Sequence, residues 1–427
     1  MVTNFTKILS DSEWRWKEVL INSRKKIHLV KLLPLLVLSA ALLLLNGCND
    51  SDVTPVYKTL INTDYLGTQS VSTLKILLPA GGIDVPSTAL QYDADIYRVT
   101  YRTTYKGREI IASGIAGIPK TSKTVSMISI HHGTITAHNE APSEMTTMAS
   151  QGALLCGGMA SIGMIALYPD FLGFGSSSMI PHPYYVEELS ASVVIDYLKA
   201  GLELADSKNI QFNKKLFLAG YSEGGYVTMA AHKYLEENPT SEFTLVASFP
   251  AAGGYDVKAM QEYLFAHDRY VNPYYLAFVA YAYQQTYDWT QSMGDFFNEP
   301  YASKIPDLFN GSYSSSQINE QLTYSIPDLV KSDLIETLDT DIKYKGLAEA
   351  LQKNSLTDWT PKIPMYMYHG QEDAAVPFQN SQSVYDQLID RGASKDVVHL
   401  IPLAKATHDT GVMPYIEDAV LKIIARN

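Results

Sequence analysis

Six short apolar runs, separated by helix-like segments, constrain the fold of this chain more than any other feature of its sequence. The runs are apolar on both faces and lie at residues 125–133, 163–170, 215–220, 243–250, 363–370 and 397–402. Between them, segments such as 188–205, 223–236 and 379–390 carry apolar residues at three- and four-residue spacing, which is typical of helices. Continuous apolar strands that alternate with helices indicate a mostly parallel sheet covered on both faces. The sequence therefore predicts an α/β fold.

Two regions depart from this alternation. Residues 95–105 and 109–119 are β-rich runs around a Lys-Gly pair, and their alternating character predicts an antiparallel pair at a sheet edge. Residues 255–355 contain many aromatic residues but no convincing strand, which indicates a helical cap over one end of the sheet. The core is therefore predicted in two parts, 57–254 and 356–427, with the cap between them.

The N-terminal region is typical of an exported lipoprotein. A basic segment precedes 14 apolar or small residues, 32–45, which are too few for an ordinary membrane-spanning helix and are typical of a signal peptide. The following Leu-Asn-Gly-Cys resembles a bacterial lipobox, which makes Cys48 the acylated residue. We predict a signal peptide over 1–47 and a tether over 48–56. The alternative is an uncleaved N-terminal anchor, and both place the chain in the bacterial cell envelope, held to a membrane.

Charge and cysteine content narrow the classes of partner. The chain has a net charge of −12, and residues 1–47 hold 7 of its 33 basic and 3 of its 45 acidic residues, so the remainder carries −16. A chain of this charge is repelled by nucleic acid and by anionic lipid surfaces. With Cys48 acylated, only Cys156 remains, and no intramolecular disulfide can form.

Ser222 lies in the motif Gly220-Tyr221-Ser222-Glu223-Gly224, which follows an apolar strand and precedes a helical pattern. In G-x-S-x-G the serine occupies a sharp strand-to-helix turn that leaves no room for β-carbons on either side. A tightly packed glycine turn without chemistry would look similar. The rest of the chain decides between the two readings, because a nucleophilic serine needs a base and a third group to orient that base.

His408 and Asp373 are the candidates for base and acid. Among the histidines after Ser222, His408 alone falls in a loop between the last predicted strand and the C-terminal helical segment. Asp373 follows a strand end and precedes a Val-Pro turn. Glu372 is its nearest rival, and Asp409 is too close to His408 in sequence to orient the imidazole easily.

An oxyanion formed at Ser222 needs two donors. We expect one from the backbone N–H of Glu223 and the other from that of Thr134, because Gly133 lets the preceding loop approach a substrate closely. His131 and His132 could suggest a metal site. Neighbours on a strand point to opposite faces, however, and no metal-binding spacing supports one.

Taken together, the motifs SIHHGT, YPDFLGFGSS, GYSEGGY, HGQEDAAVP and THDTG resemble those of the α/β-hydrolases, and more narrowly of secreted lipases and esterases. They occur in this order across nearly all of residues 95–427. The resemblance implies a triad of Ser222, Asp373 and His408 and a helical cap. It also implies that Asp170 braces the oxyanion loop. The paired histidines depart from the HGGG motif of many esterases, which leaves the second oxyanion donor open.

The resemblance implies a carboxylic-ester hydrolase that needs no cofactor, acting on a small-molecule, lipid or glycan ester through an acyl-enzyme. A peptidase or amidase would use the same triad, but the sequence has no recognisable subsite for a peptide amino terminus. A non-catalytic surface-binding lipoprotein could also keep the fold. A degenerate copy usually lacks one triad member, and here all three candidates appear in order.

Overall fold

The computed structural model describes residues 58–427 apart from 84 and 146. The predicted signal peptide, Cys48 and the predicted tether lie outside the described residues. In the part of the chain that is described, no helix is long and apolar enough to cross a membrane.

Strands and helices follow one another along most of the described chain. The strands are β1 (Leu60–Gln69), β2 (Ala94–Tyr105), β3 (Arg108–Pro119), β4 (Val125–His131), β5 (Met164–Pro169), β6 (Phe212–Tyr221), β7 (Thr244–Ala251), β8 (Met365–Gly370) and β9 (Val398–Leu403). The helices are α1 (Val71–Ala80), α2 (Gln151–Ser161), α3 (Glu187–Ser207), α4 (Glu223–Glu237), α5 (Val257–Phe265), α6 (Pro273–Thr286), α7 (Tyr301–Leu308), α8 (Ser315–Asn319), α9 (Ile326–Leu329), α10 (Ser332–Thr337), α11 (Lys345–Lys353), α12 (Phe378–Asp390) and α13 (Val412–Ile424).

The nine strands form one sheet in the order β1-β2-β3-β5-β4-β6-β7-β8-β9. The pairs β1–β2, β2–β3 and β3–β5 are antiparallel, and every pair from β5 to β9 is parallel. Because β4 lies between β5 and β6, the chain reverses its direction of progress across the sheet there. Crevices at the carboxyl ends of parallel strands near such a switch are the usual ligand sites of α/β sheets.

Both faces of the sheet are covered, as the apolar strand runs predict. Helices α3 and α4 pack on one face, where Val194, Leu198 and Val227 are buried. Helices α1, α2 and α13 cover the other, where Leu74 and Tyr415 are buried. The α/β-hydrolase fold class predicted from the sequence is confirmed by this architecture and by the structural similarities described below.

Between β7 and β8 the chain is mostly helical. Seven helices, α5 to α11, occupy residues 257–353, and among the described residues of this segment the only β pairing is two isolated bridges, Arg269 to Ser325 and Phe297 to Val330. Its buried side chains, among them Tyr283, Phe296 and Tyr344, belong to a core cluster that also includes Met229 of α4 and Met367 of β8. We call residues 255–355 the cap segment.

The edge of the sheet differs from the expectation in one respect. The runs 95–105 and 109–119 do form an antiparallel pair, β2 with β3, but β1 pairs outside β2 and forms the edge. Only the first and last residues of β1 are buried. A strand that is exposed along most of its length lacks the apolar periodicity from which strands are recognised in a sequence.

Candidate active site

The residues singled out in the sequence lie at the carboxyl ends of neighbouring parallel strands. Ser222 directly follows β6, and the segment from His132 to Thr134 follows β4, which pairs with β6. Asp373 comes three residues after β8, and His408 lies in the loop after β9. Since carboxyl ends of parallel strands meet at one edge of a sheet, side chains distant in sequence converge there.

Ser222 occupies a strained turn between β6 and α4. Its φ of 59° and ψ of −124° lie outside the regions that residues with a β-carbon normally adopt. A β-carbon on Gly220 would lie 2.2 Å from the carbonyl oxygen of Gly224, and one on Gly224 would lie 2.0 Å from that of His131. Glycine is therefore required at both positions, and the turn holds the Ser222 hydroxyl above the sheet edge.

The three side chains proposed as a triad form a continuous hydrogen-bonded chain. His408 Nε2 lies 2.9 Å from Ser222 Oγ, and His408 Nδ1 lies 2.7 Å from Asp373 Oδ2. Because an ionised carboxylate can only accept, Nδ1 carries a hydrogen and Nε2 is left to accept the serine proton. The hydroxyl of Tyr221 donates to the carbonyl oxygen of His408 over 2.7 Å and so anchors the His408 loop.

Asp373 is buried and ionised. Its Oδ1 accepts the backbone N–H groups of Ala375 and Val376 at 2.9 and 2.8 Å. Burial raises the pKa of Asp373, but hydrogen bonds from His369 and His408 outweigh burial and lower the pKa to about 2. The two rival carboxylates, Glu372 and Asp409, are exposed.

The loop after β4 passes beside Ser222. A β-carbon on Gly133 would lie 3.4 Å from Ser222 Cβ, and the hydroxyl groups of Thr134 and Tyr184 are 2.9 Å apart. His132 Nδ1 lies 2.8 Å from the carbonyl oxygen of Gly133. Because the peptide is planar and trans, a Gly133 carbonyl that faces the His132 ring turns the N–H of Thr134 away from that ring.

Glu223 supplies the first helical residue of α4, so its N–H is one of the amides that have no acceptor within the helix. Its side chain is buried against His182, with Oε1 2.7 Å from His182 Nε2. His182 Nδ1 in turn lies 2.6 Å from the carbonyl oxygen of Leu172. The pair ties the start of α4 to the loop after β5.

Asp170 joins three segments beneath the loop after β4. Its carboxylate accepts the hydroxyl groups of Ser113 and Ser143 at 2.6 and 2.5 Å and the backbone N–H of Ser143 at 2.8 Å. Its carbonyl oxygen lies 3.2 Å from His132 Nε2. Burial raises the pKa of Asp170, and the serine hydrogen bonds oppose that rise. These contacts accord with a bracing role.

The paired histidines at the end of β4 have separate partners. His131 hydrogen-bonds with the hydroxyl groups of Ser129 and Thr228, and burial lowers its pKa to about 3, so its ring is neutral at physiological pH. The His132 ring stacks on that of Phe171 with the centroids 4.1 Å apart. Within residues 58–427, leaving out 84 and 146, no three His, Cys, Asp or Glu side chains are grouped as a metal site requires.

An apolar cavity lies largely within the cap segment, lined mainly by aliphatic and aromatic side chains. They include Leu264, Leu276, Val279, Phe297, Leu334 and Leu351. Tyr275 also lines it, and burial raises the pKa of its phenol. Val376, next to the Asp373 turn, lines the same cavity.

Several residues of this site carry no recognisable signal in the sequence. Ser113 lies within an apolar strand and Ser143 in a loop, and neither belongs to a motif. His182 and Tyr184 also lie outside every motif. His369 could have been noticed, since it closes an apolar strand four residues before Asp373 in the HGQEDAAVP motif.

The fold is similar to those of several solved hydrolase structures. A candidate hydrolase from Legionella pneumophila is similar with a TM-score of 0.76 and 26% identity, over 86% of this chain and 98% of that one. A ligand-bound form of LipA, a rice cell wall degrading esterase from Xanthomonas oryzae, gives 0.75 and 23% over 87% and 97%. Lipase A of Candida antarctica gives 0.59 and 16% over 83% and 78%.

A search of curated proteins found no match. The sequence profile of the secretory lipase family matches residues 139–409, which include Ser222, Asp373 and His408. This match and the structural similarities confirm the resemblance to α/β-hydrolases and to lipases and esterases. Because the profile covers more than half of the 427 residues, the chain belongs to the secretory lipase family.

Proposed function

We propose that the protein hydrolyses carboxylic esters through an acyl-enzyme on Ser222, with His408 as general base and acid and Asp373 as the acid of the triad. The observation that carries the proposal is the unbroken hydrogen-bonded chain from Ser222 Oγ through both nitrogens of His408 to Asp373 Oδ2. No cofactor is required for this chemistry. The family and the similar esterase structures support the same class of reaction.

In acylation, Ser222 Oγ attacks the ester carbonyl carbon while His408 Nε2 takes the hydroxyl proton. Asp373 stabilises the imidazolium through its bond to Nδ1–H. The backbone N–H groups of Glu223 and Thr134 receive the oxyanion, and the N-terminus of α4 adds the positive end of its dipole. His408 then gives the proton to the leaving alcohol oxygen as the ester C–O bond breaks.

In deacylation a water molecule attacks the acyl carbon, and His408 takes one of its protons. The second tetrahedral species collapses by breaking the bond from carbon to Ser222 Oγ, which receives the proton from His408. The carboxylic acid leaves, and the hydrogen-bonded chain is restored. Each proton transfer uses the same Nε2, because Asp373 keeps the other nitrogen protonated.

The apolar cavity of the cap segment is the observation that supports a substrate with an apolar group. Its lining is apolar and includes Tyr184, whose hydroxyl lies 2.9 Å from that of Thr134, and Val376, whose N–H donates to Asp373, so a chain bound there would present its carbonyl near Ser222. We expect Val279→Phe, which narrows the cavity, to lower kcat/KM for long-chain esters more than for acetate. An equal loss of kcat/KM for every chain length would show that the cavity does not bind the substrate.

The function is tested with p-nitrophenyl esters from acetate to palmitate and with acetylated and feruloylated sugars, using wild type and Ser222→Ala. The alanine variant should lose turnover by a factor on the order of 10⁶ while keeping its melting temperature. The control is Ser312→Ala, an exposed serine on the cap segment, which should retain wild-type rates. Near wild-type turnover by Ser222→Ala would refute the acyl-enzyme.

We also propose that Cys48 carries a lipid that holds the enzyme in the cell envelope. The secretory family supports export. The lipobox-like sequence before Cys48 supports attachment to a membrane, and residues 49–56 would then separate the catalytic part from the lipid surface. The esters within reach would be those outside the cytoplasm.

A further inference from the structure

Two histidines, and not one, contact the acid of the proposed triad. His369, the residue before the last in β8, places Nε2 3.3 Å from Asp373 Oδ2. The same nitrogen lies 2.7 Å from the carbonyl oxygen of Val376. The His369 side chain is wholly buried, so water does not compete for these contacts.

The hydrogen bonds of His369 define which nitrogen carries its hydrogen. The carbonyl oxygen of Val376 can only accept, so Nε2 must donate. On the opposite side of the ring, Nδ1 lies 2.6 Å from Ser381 Oγ, whose hydroxyl can donate to it. His369 is thus satisfied as a neutral imidazole whose Nε2–H is bonded to the carbonyl oxygen of Val376 and also lies beside Asp373 Oδ2.

The carboxylate of Asp373 is fully occupied. Oδ1 accepts two backbone N–H groups of the following turn, Oδ2 accepts His408 Nδ1 at 2.7 Å, and His369 Nε2 lies 3.3 Å from Oδ2. A carboxylate held by three hydrogen bonds in a buried site, with a fourth N–H beside it, cannot rotate without losing one of these contacts. Each N–H group beside the carboxylate attracts part of its negative charge, so less of that charge acts on the other donors.

We propose that His369 is a positioning residue of the triad, which fixes Asp373 Oδ2 toward His408 and moderates the charge that His408 experiences. The proposal rests on the proposed function, since it assigns His369 a task in the same proton transfer. Its consequence concerns the base. Removing the hydrogen on His369 Nε2 leaves more negative charge on Oδ2, which makes the His408 imidazolium easier to form.

The other titratable groups near Asp373 should not obscure this effect in a titration of His408. They are the phenols of Tyr185, Tyr221, Tyr270 and Tyr275, and burial raises the pKa of each, so all four are neutral below pH 10. Glu372 and Asp409 are exposed to solvent. The Phe378 ring, edge-on to His369 with the centroids 5.9 Å apart, carries no charge.

The test is an NMR titration of the His408 ring with ¹⁵N-labelled histidine, which needs no substrate. It compares wild type with His369→Phe, which removes the donor but keeps a ring, and with His369→Gln, whose amide can return an N–H near the position of Nε2. His232→Phe is the matched control, because His232 is equally buried and lies between Ser248 and the carboxylate of Glu236, at 2.6 and 2.8 Å.

We expect the His408 titration midpoint to rise by about 0.5–1 pH unit in His369→Phe and to return toward wild type in His369→Gln. The acidic limb of kcat/KM should move to higher pH by the same amount. In His232→Phe neither should move. If His369 had only a structural role, His369→Phe would lower the rate without shifting the acidic limb of the kcat/KM profile.

An unchanged midpoint in His369→Phe, or equal shifts in the Phe and Gln variants, would overturn the proposal. If His369→Phe does not fold, the wild-type spectrum still decides, because a hydrogen on Nδ1 of His369 instead of Nε2 contradicts it. Failure of the proposed function would appear separately, as wild-type protein without esterase activity, while the titration would still report on His369.

Discussion

Asp373 differs from its acidic neighbours because its carboxylate contacts His408, whereas theirs are exposed to solvent. Replacing it with asparagine keeps the shape but allows His408 the wrong tautomer, so kcat should fall by roughly 10⁴ with a small change in melting temperature. Glu372→Gln and Asp409→Asn are matched controls, since both carboxylates are exposed. All three variants are measured for kcat and melting temperature. Should one of the controls be crippled while Asp373→Asn stays active, the triad acid is misassigned.

The same carboxylate makes stability depend on acid. Its pKa of about 2 in the folded state lies below the value of about 3.9 in an unfolded chain, so its ionisation stabilises the fold above about pH 4. This contribution, on the order of 2 kcal/mol, is lost as pH falls from about 4 to 2. The unfolding free energy of wild type, measured with urea, should therefore fall more steeply with decreasing pH over this range than that of Asp373→Asn. Parallel curves would show that the carboxylate is not stabilised by folding.

At the scale of elements, the turn from β6 to α4 tolerates no added atom at Gly224. Because a β-carbon there would meet the carbonyl oxygen of His131 at 2.0 Å, Gly224→Ala must displace either α4 or the end of β4. We expect a loss of about 3 kcal/mol or more in unfolding free energy, together with the loss of turnover.

Gly346 is the control for this substitution, since it also lies in a helix, α11. A β-carbon there would meet only the Trp289 ring, at 3.6 Å or more. Gly346→Ala should stabilise the protein by up to about 1 kcal/mol, because glycine is a poor helix former. Chemical unfolding of both variants checks the pair. Equal effects of the two substitutions would mean that the turn yields more easily than its contacts indicate.

Elements with a local signature were predictable from the sequence, and those defined by tertiary contacts were not. Strands β4 to β9 are recognisable because apolar runs bounded by glycine or proline have few alternatives. Ser222, Asp373 and His408 each follow such a run, so their meeting at one sheet edge could be expected. The contact of His369 with Asp373 could not, because it depends on how the turn after β8 folds back on the strand.

Strand β1 shows the other limit of prediction. Only two of its residues are buried, so its register is set by pairing with β2 and not by an apolar pattern of its own. Ser113 illustrates the same limit within the core, because its role depends on Asp170, which is 57 positions away in the chain.

For the whole molecule, the predicted lipid on Cys48 decides where the enzyme acts. The chain after residue 47 carries a net charge of −16 and is repelled by anionic lipid surfaces, so without acyl chains it should not stay on a membrane. Cys48→Ser should move the protein from the detergent phase to the aqueous phase, or leave an uncleaved precursor. Phase partitioning and the mass of the N-terminus distinguish these outcomes. A cleaved, membrane-held Cys48→Ser protein would contradict acylation at this residue.

The order of strands in the sheet also bears on how the enzyme fails when heated. Ser222 follows β6 in the middle of the sheet, whereas Asp373 and His408 follow β8 and β9, and β9 is one of the two edge strands. Edge elements open at lower free energy than the centre of a fold, so the proposed base and acid can depart together while Ser222 stays in place. Thermal inactivation should then precede the loss of circular dichroism, and brief heating should be reversible, because the part of the sheet that survives is a template on which the last two strands dock again.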